Sequence, residues 1–245
     1  KKMANVNHII AISNFVRSRI IKKYNLDPKK ITVINRGIDT DFFQDDVDEN
    51  SKNIFLKEYK IKQDRKIILY PGRIAEWKGQ LDFLRYVENL DIKDFVVLFA
   101  GSTNNLSHTN LLRKTINDKN LAEKCMVIGN LNYSKLKIAY SISDLVVSLP
   151  KRSEGFGRTI SETLSMEKII LARNTGGAFD QLKQLDSEFK VEIKDLDNLN
   201  RRIKDILQLS TEDKKKILKK VRQHIIDNFS LNNMVTNYNN FYEQI

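Results

Sequence analysis

The chain has 245 residues, with 42 Lys and Arg against 31 Asp and Glu, hence a formal charge of +11, and 41% of it is hydrophobic. That is one large domain, or a domain with an appendage, with apolar material enough for a core, which excludes a disordered or collagen-like chain. The single cysteine, Cys125, excludes an internal disulfide and a zinc site and points to a reducing compartment. The longest apolar run, Phe95 to Ala100, has six residues, where crossing a bilayer takes roughly 20.

Short runs rich in Val, Ile, Leu and Phe alternate with segments of helical period. In chain order, strands are expected at His8–Ile12, Ile31–Ile34, Lys66–Tyr70, Phe95–Ala100, Cys125–Ile128, Leu145–Leu149, Ile169–Ala172 and Phe189–Ile193. Helices are expected between them, among others at Gln80–Leu90, Asn110–Lys119, Lys135–Ile142 and Phe156–Met166. Leu81, Leu84 and Val87 share one helical face, as a helix lying on a sheet requires. Apolar runs that alternate with helices predict an α/β fold, a Rossmann-like doubly wound parallel sheet, complete in six strands from Lys66 to about Ile193. The acidic stretch within Asp41–Lys52 reads as a surface connection, and only helices are expected after Asp195. The lysines around Lys214–Lys220 read as a solvated helix face rather than a binding patch.

Three loops leave the C-terminal ends of expected strands, the edge where an open α/β sheet binds ligands. In the first, Pro71 to Gly79, Gly72 permits a tight exit while Arg73 and Lys78 set two cations around a helix N-terminus, an anion site. Taken alone, the same residues read equally as two solvent-facing cations. The second runs Glu154-Gly155-Phe156-Gly157-Arg158-Thr159 into a helix that carries Glu162. Its glycines allow close backbone approach, and its first helical amides lack intrahelical partners. Glu162 is positioned to accept from the vicinal hydroxyls of a ribose, or simply to complement the helix dipole. Glu154 is suited in the same way to sugar hydroxyls. The third loop, Gly129-Asn130-Leu131 after the strand ending at Ile128, is able to offer backbone groups to a base edge.

Six pieces in this order resemble the donor half of the retaining glycosyltransferases of family four, which have the GT-B fold. They are Gly72-Arg73 with Lys78-Gly79, Ile128-Gly129, Ser143-Asp144, Pro150, Glu154-Gly155-Phe156-Gly157 and Glu162, the last two forming a Glu-x7-Glu motif. Ile10 to Ser13 and Val33 to Asp39, followed by Phe42-Phe43, look like the end of the acceptor domain and the crossover. The resemblance implies three parts: residues 1–45 as a remnant of the acceptor domain, 46–228 as the nucleotide-sugar-binding domain, and 229–245 as a helix crossing back. The chain is accordingly expected to be a piece of a longer protein.

The resemblance further implies that Arg73, Lys78 and Glu154 are the catalytic residues, the two cations neutralising the diphosphate of a UDP-, GDP- or ADP-sugar. Gly72, the amides of Arg158 and Thr159, Glu154 with Gly155, Phe156 and Gly157, Glu162, and the 128–131 backbone would hold the donor. No metal and no other cofactor are implied. The implied reaction is transfer with retention to a cell-envelope or lipopolysaccharide acceptor, a glycan or lipid-linked molecule. It places the enzyme in the cytoplasm, in peripheral contact with the anionic inner face of a bacterial membrane. Where the family commonly has Gly and Pro, this chain has Glu167 and Ile169, a departure that falls on a turn. Arg158 either adds a third cation near the phosphates or lies on the surface.

Of the three histidines, His8 is expected on a strand, His108 in a polar loop and His224 on a basic helix, none with a partner at ligand spacing. Trp77 reads as core packing, and Gly176-Gly177 as a tight turn. No Walker loop or Gly-x-Gly-x-x-Gly follows a strand, which disfavours an NTPase or a dehydrogenase. Two other functions fit the same loops: a non-catalytic nucleotide-sugar-binding module and a GT-B-fold nucleotide-sugar epimerase. Nucleic acid is not an expected partner, because the charge comes without a base-reading motif.

Overall fold

The computed structural model describes residues 6–183, 186–187, 190–192 and 198–244. Strand β1 (Ile9–Ala11), helix α1 (Asn14–Tyr24) and strand β2 (Ile31–Val33) come first, the two strands pairing in parallel as a small sheet. Helix α2 (Glu49–Glu58) then leads to β3 (Lys66–Pro71), α3 (Gln80–Glu88), β4 (Phe95–Ala100), α4 (Leu106–Asp118), β5 (Cys125–Gly129) and α5 (Tyr133–Ser141). The chain continues through β6 (Leu145–Ser148), α6 (Arg158–Ser165), β7 (Ile170–Arg173), α7 (Ala178–Leu182) and β8 (Lys190–Val191). Helices α8 (Leu199–Gln208), α9 (Thr211–Phe229) and α10 (Leu231–Tyr242) close it.

The main sheet is parallel with the strand order β5-β4-β3-β6-β7-β8. That is the doubly wound order, and the direction of winding reverses between β3 and β6, where the two outgoing loops diverge and leave a crevice. Every residue of β4 and all of β3 after Lys66 are buried, as strands covered on both faces require. Of the expected strand Phe189–Ile193, the two ends lie outside the described residues, and Lys190–Val191 form the outermost strand. On α3, Phe83 joins Leu84 and Val87 in the core while Leu81 is only partly buried. The covered stripe is thus turned by about one position from the expected one.

The acidic stretch is more than a surface connection. Asp45 pairs with Lys168 at 2.9 Å and also accepts from the Ser141 hydroxyl, and Asp46 pairs with Lys137. Asp48 accepts from the Ser51 amide at 2.9 Å and thereby caps α2, a helix that sequence periodicity left unassigned. His108 sits not in a loop but in α4 and is buried, because Asn105 accepts from its amide at 3.1 Å and starts the helix earlier than expected. Glu167, in the turn after α6, has φ +50°, the left-handed conformation that a glycine takes without strain.

Ser230 divides α9 from α10. Its hydroxyl accepts from the Asn233 amide at 3.2 Å, while Ile38 receives Leu231 N–H at 2.7 Å and donates to Phe229 O at 2.9 Å. Gly37 has no room for a side chain, since a Cβ would lie 2.4 Å from Ser230 O. The last helix therefore lies against the segment after β2, and the Phe241 ring meets His8 at 4.8 Å between centroids. Among the described residues no helix is long and apolar enough to cross a membrane.

Candidate functional site

The first loop leaves β3 through Gly72, whose φ of +134° turns the chain, and Gly72 N–H bonds to Ala100 O at 2.8 Å. Beyond it Arg73 is exposed, and a short 3-10 turn carries Trp77 and Lys78. Trp77 is half-buried rather than a core residue. Its ring lies 4.8 Å from Lys78 Nζ and 5.9 Å from the Arg73 guanidinium carbon, a face shared by both cations. Lys78 Nζ lies 2.5 Å from Glu154 Oε1, with both side chains largely covered. The two loops on either side of the switch point are thus joined by an ion pair.

Tyr70, the residue before Pro71 in β3, joins them a second time. Its hydroxyl donates to Lys78 O at 2.7 Å and accepts from Leu149 N–H at 3.1 Å, and burial pushes its ionisation up. Gln80 holds the same loop by donating to Arg73 O at 3.0 Å.

The second loop is built by close backbone packing. Gly177 N–H donates to Glu154 O at 2.8 Å, and a Cβ on Gly177 would lie 2.3 Å from Gly155 O, so this glycine pair is a fitted support as well as a turn. Gln181, fully buried, donates to Phe156 O at 2.6 Å and accepts from the Ser161 hydroxyl at 2.5 Å. Ser13, at the start of α1, donates to Gly155 O at 2.6 Å. Phe156 itself points into the core, 5.9 Å from the Phe229 ring, and offers only backbone to a ligand. Gly157 takes φ +90° at the mouth of α6, so the amides of Arg158 and Thr159 have no intrahelical partner.

Glu162 is buried, and Tyr140 donates to its Oε2 at 3.0 Å while Arg158 Nη2 lies 2.9 Å from its Oε1. Burial raises its pKa, opposed by the charge of Arg158 and by the Tyr140 and Arg158 hydrogen bonds. The Arg158 side chain, partly exposed, spans from Glu162 to Tyr133, bonding the phenol at 3.2 Å and lying over that ring at 5.7 Å.

A cleft of about 270 Å³ brings together Gly72, Arg73, Asn130, Leu131, Thr159 and Glu162, with Tyr140 on its wall. Lys78 and its partner Glu154 do not line it; Lys78 Nζ lies beside Gly72, 3.7 Å from where a Cβ would stand. Gly129 has φ +78° with open space beside it, and Ile128 is half-buried; neither lines the cleft, nor do Gly155, Phe156, Gly157 and Arg158. A larger cavity of about 730 Å³ lies at the opposite edge of the sheet, around Asp144, Lys168 and Lys214, away from all these loops. Tyr70, Tyr140, Gln80 and Gln181 escape a motif search. The signal for the tyrosines was a phenol set in apolar sequence, which must find a partner when buried.

A cleft lined by the cation Arg73, by Thr159 at the open start of a helix and by the buried carboxylate Glu162 suits a nucleoside diphosphate. Residues 51–224 match the family model described as glycosyl transferases group 1, and residues 1–42 match that of glycosyltransferase family 4. A glycosyltransferase from Rickettsia africae ESF-5 superposes with a TM-score of 0.90 at 31% identity, covering 97% of this chain and 63% of that one. HepE of Anabaena, solved with UDP-glucose, superposes with a TM-score of 0.87 at 16% identity over 100% of this chain and 66% of its own. In sequence, the chain is 24% identical over 239 residues to the UDP-Gal:alpha-D-GlcNAc-diphosphoundecaprenol alpha-1,3-galactosyltransferase of Escherichia coli, covering 96% of this chain and 59% of that enzyme. It spans about half the length of the curated relatives it matches. The chain belongs to the group 1 glycosyl transferases, in the GT-B fold.

Proposed function

We propose that this chain is the donor half of an enzyme that moves a sugar, with retention, from a nucleoside diphosphate to a glycan or lipid-linked acceptor of the cell envelope. UDP is the first nucleotide to test, because HepE is solved with UDP-glucose and the Escherichia coli relative is named for UDP-Gal. The acceptor class rests on that relative's diphosphoundecaprenol acceptor and on a Salmonella typhimurium relative named for lipopolysaccharide. A cytoplasmic protein in peripheral contact with an anionic membrane fits the +11 charge.

In this reading Arg73 and Lys78 stabilise charge on the departing diphosphate, so no metal is required of the site. The amides of Arg158 and Thr159 take phosphate oxygens, Glu162 takes the ribose hydroxyls, and the backbone from Ile128 to Leu131 takes the base. Glu154 and the amides of Gly155 to Gly157 hold the sugar. The observation that carries the reading is the Lys78–Glu154 pair, which sets a cation for the leaving group beside an acceptor for sugar hydroxyls at 2.5 Å.

Calorimetric titration with UDP, GDP, ADP and their sugar conjugates tests it. One base is expected to bind at about −4 to −8 kcal/mol, the millimolar-to-micromolar range. A folded chain that binds none of them, alone and in the longer two-domain protein, refutes the reading. With the longer protein, transfer to an acceptor and the anomeric configuration of the product separate a retaining transferase from a binding module or an epimerase.

A further inference from the structure

Behind the loop that carries Glu154 lies a second cleft, of about 160 Å³, bounded by Gly79, Asp82, Arg85, Leu149, Lys151 and Arg173. It shares no lining residue with the donor-side cleft. The wall between them is tight: a Cβ on Gly79 would lie 2.3 Å from Leu149 O and 3.2 Å from the Tyr70 hydroxyl.

Three cations meet there with one acid. Asp82 is already engaged, its Oδ2 2.9 Å from Lys151 Nζ. Arg173 uses Nη1 to reach Pro150 O at 3.0 Å, while its Nε is shielded from solvent and bonds to nothing among the described residues. Arg85, exposed on α3, makes no ion pair among them. A guanidinium has five donors in a planar fork, so most of the donors of these two arginines are unspent, and a buried unpaired N–H is costly to keep. The volume has room for about five waters. That accommodates a phosphate group with part of its hydration, and not a whole nucleotide.

We propose that this cleft is a second anion site, which takes a phosphate group between the guanidinium groups of Arg173 and Arg85 with Lys151 alongside. Its floor is the backbone that also positions the donor loops. Lys151 N–H donates to Trp77 O at 2.7 Å, and Tyr70 ties Leu149 to Lys78. A phosphate bound here fastens both loops from behind.

Isothermal titration of the Arg73→Ala/Lys78→Ala chain with inorganic phosphate removes the donor-loop cations, and substitutions in this cleft then separate it from the helix-start amides that remain. One millimolar-range event is expected, weakened at least fivefold by adding Arg85→Gln, an exposed position that does not threaten folding, and equally by Arg173→Lys. Circular dichroism confirms that each variant is folded. The proposal is overturned if the donor-loop variant binds no phosphate, or if it binds phosphate and neither substitution weakens it. Cosedimentation with phosphatidylglycerol against phosphatidylcholine vesicles then identifies the source. Binding to the anionic vesicles that Arg85→Gln weakens and inorganic phosphate displaces assigns the site to a lipid headgroup. Vesicle binding insensitive to both, with the titration intact, assigns it to a soluble phosphate.

Discussion

Lys78 Nζ and Glu154 Oε1, 2.5 Å apart, come from loops separated by 76 residues and meet across the switch point of the sheet. The contact pairs the two charges that the proposed reaction uses for different parts of the donor. A nucleoside diphosphate that claims Lys78 therefore leaves Glu154 unpaired, and the hydroxyls of a bound sugar restore its hydrogen bonds.

Titration with UDP and with a UDP-sugar measures the consequence. Lys78→Ala is expected to weaken both by about 1.5–3 kcal/mol, more than roughly tenfold in Kd. Glu154→Gln, which no longer holds the ammonium, is expected to tighten UDP a few-fold while weakening the sugar conjugate. A Glu154→Gln chain that loses affinity for UDP itself contradicts this account of the pair.

Glu162 gives the site a pH dependence of known sign. Its folded pKa is raised above the ordinary 4.5, so between 4.5 and the folded value the native chain binds more protons than the unfolded chain. Its contribution to stability is fully present below 4.5 and is lost as pH rises through that window. Glu162→Gln removes the slope. In urea unfolding at a series of pH values, the stability difference shifts in favour of the variant as pH rises. Nucleotide affinity has the opposite sign: the ionised carboxylate is the better acceptor for ribose hydroxyls, so binding to the unaltered chain strengthens over the same window.

Tyr70→Phe deletes one hydroxyl and two hydrogen bonds. The Leu149 amide is left buried without an acceptor, at a cost of about 1–3 kcal/mol in unfolding free energy. Because the same hydroxyl holds Lys78 O, UDP affinity is expected to fall as well, though no donor-contacting side chain is altered. Unchanged binding in a destabilised variant would limit Tyr70 to a core role.

Glu167 adopts φ +50°, in the left-handed region that favours glycine. Glu167→Gly is expected to stabilise the chain by about 0.5–1 kcal/mol, the left-handed strain relieved less the added backbone entropy of the unfolded state. Glu167→Ala keeps the Cβ and gains nothing. Comparing the two urea midpoints separates the backbone effect from loss of the carboxylate.

Much of the architecture was legible in the sequence because its signals are local. Phe95–Ala100 reads as a buried strand from its own six residues, and Gly72, Gly157 and the acids eight residues apart mark candidate ligand loops from spacing alone. The helix at Glu49–Glu58 and the burial of His108 were not legible, since each depends on a capping side chain, Asp48 or Asn105, that is equally at home in a loop.

Composition and the alternation of apolar runs thus determined the α/β class, and the loop motifs named the candidate residues. Only the tertiary structure decided who meets whom. It joined Lys78 to Glu154, placed Tyr140 on the Glu162 carboxylate, and set Tyr70 between two loops. It also collected Arg85, Lys151 and Arg173 around one small cleft. These partners lie from 8 to 88 positions apart in the chain, and what brings them together is the parallel winding of the sheet. The winding carries the C-terminal ends of distant strands to a common edge, a relationship with no signature in the spacing of any one segment.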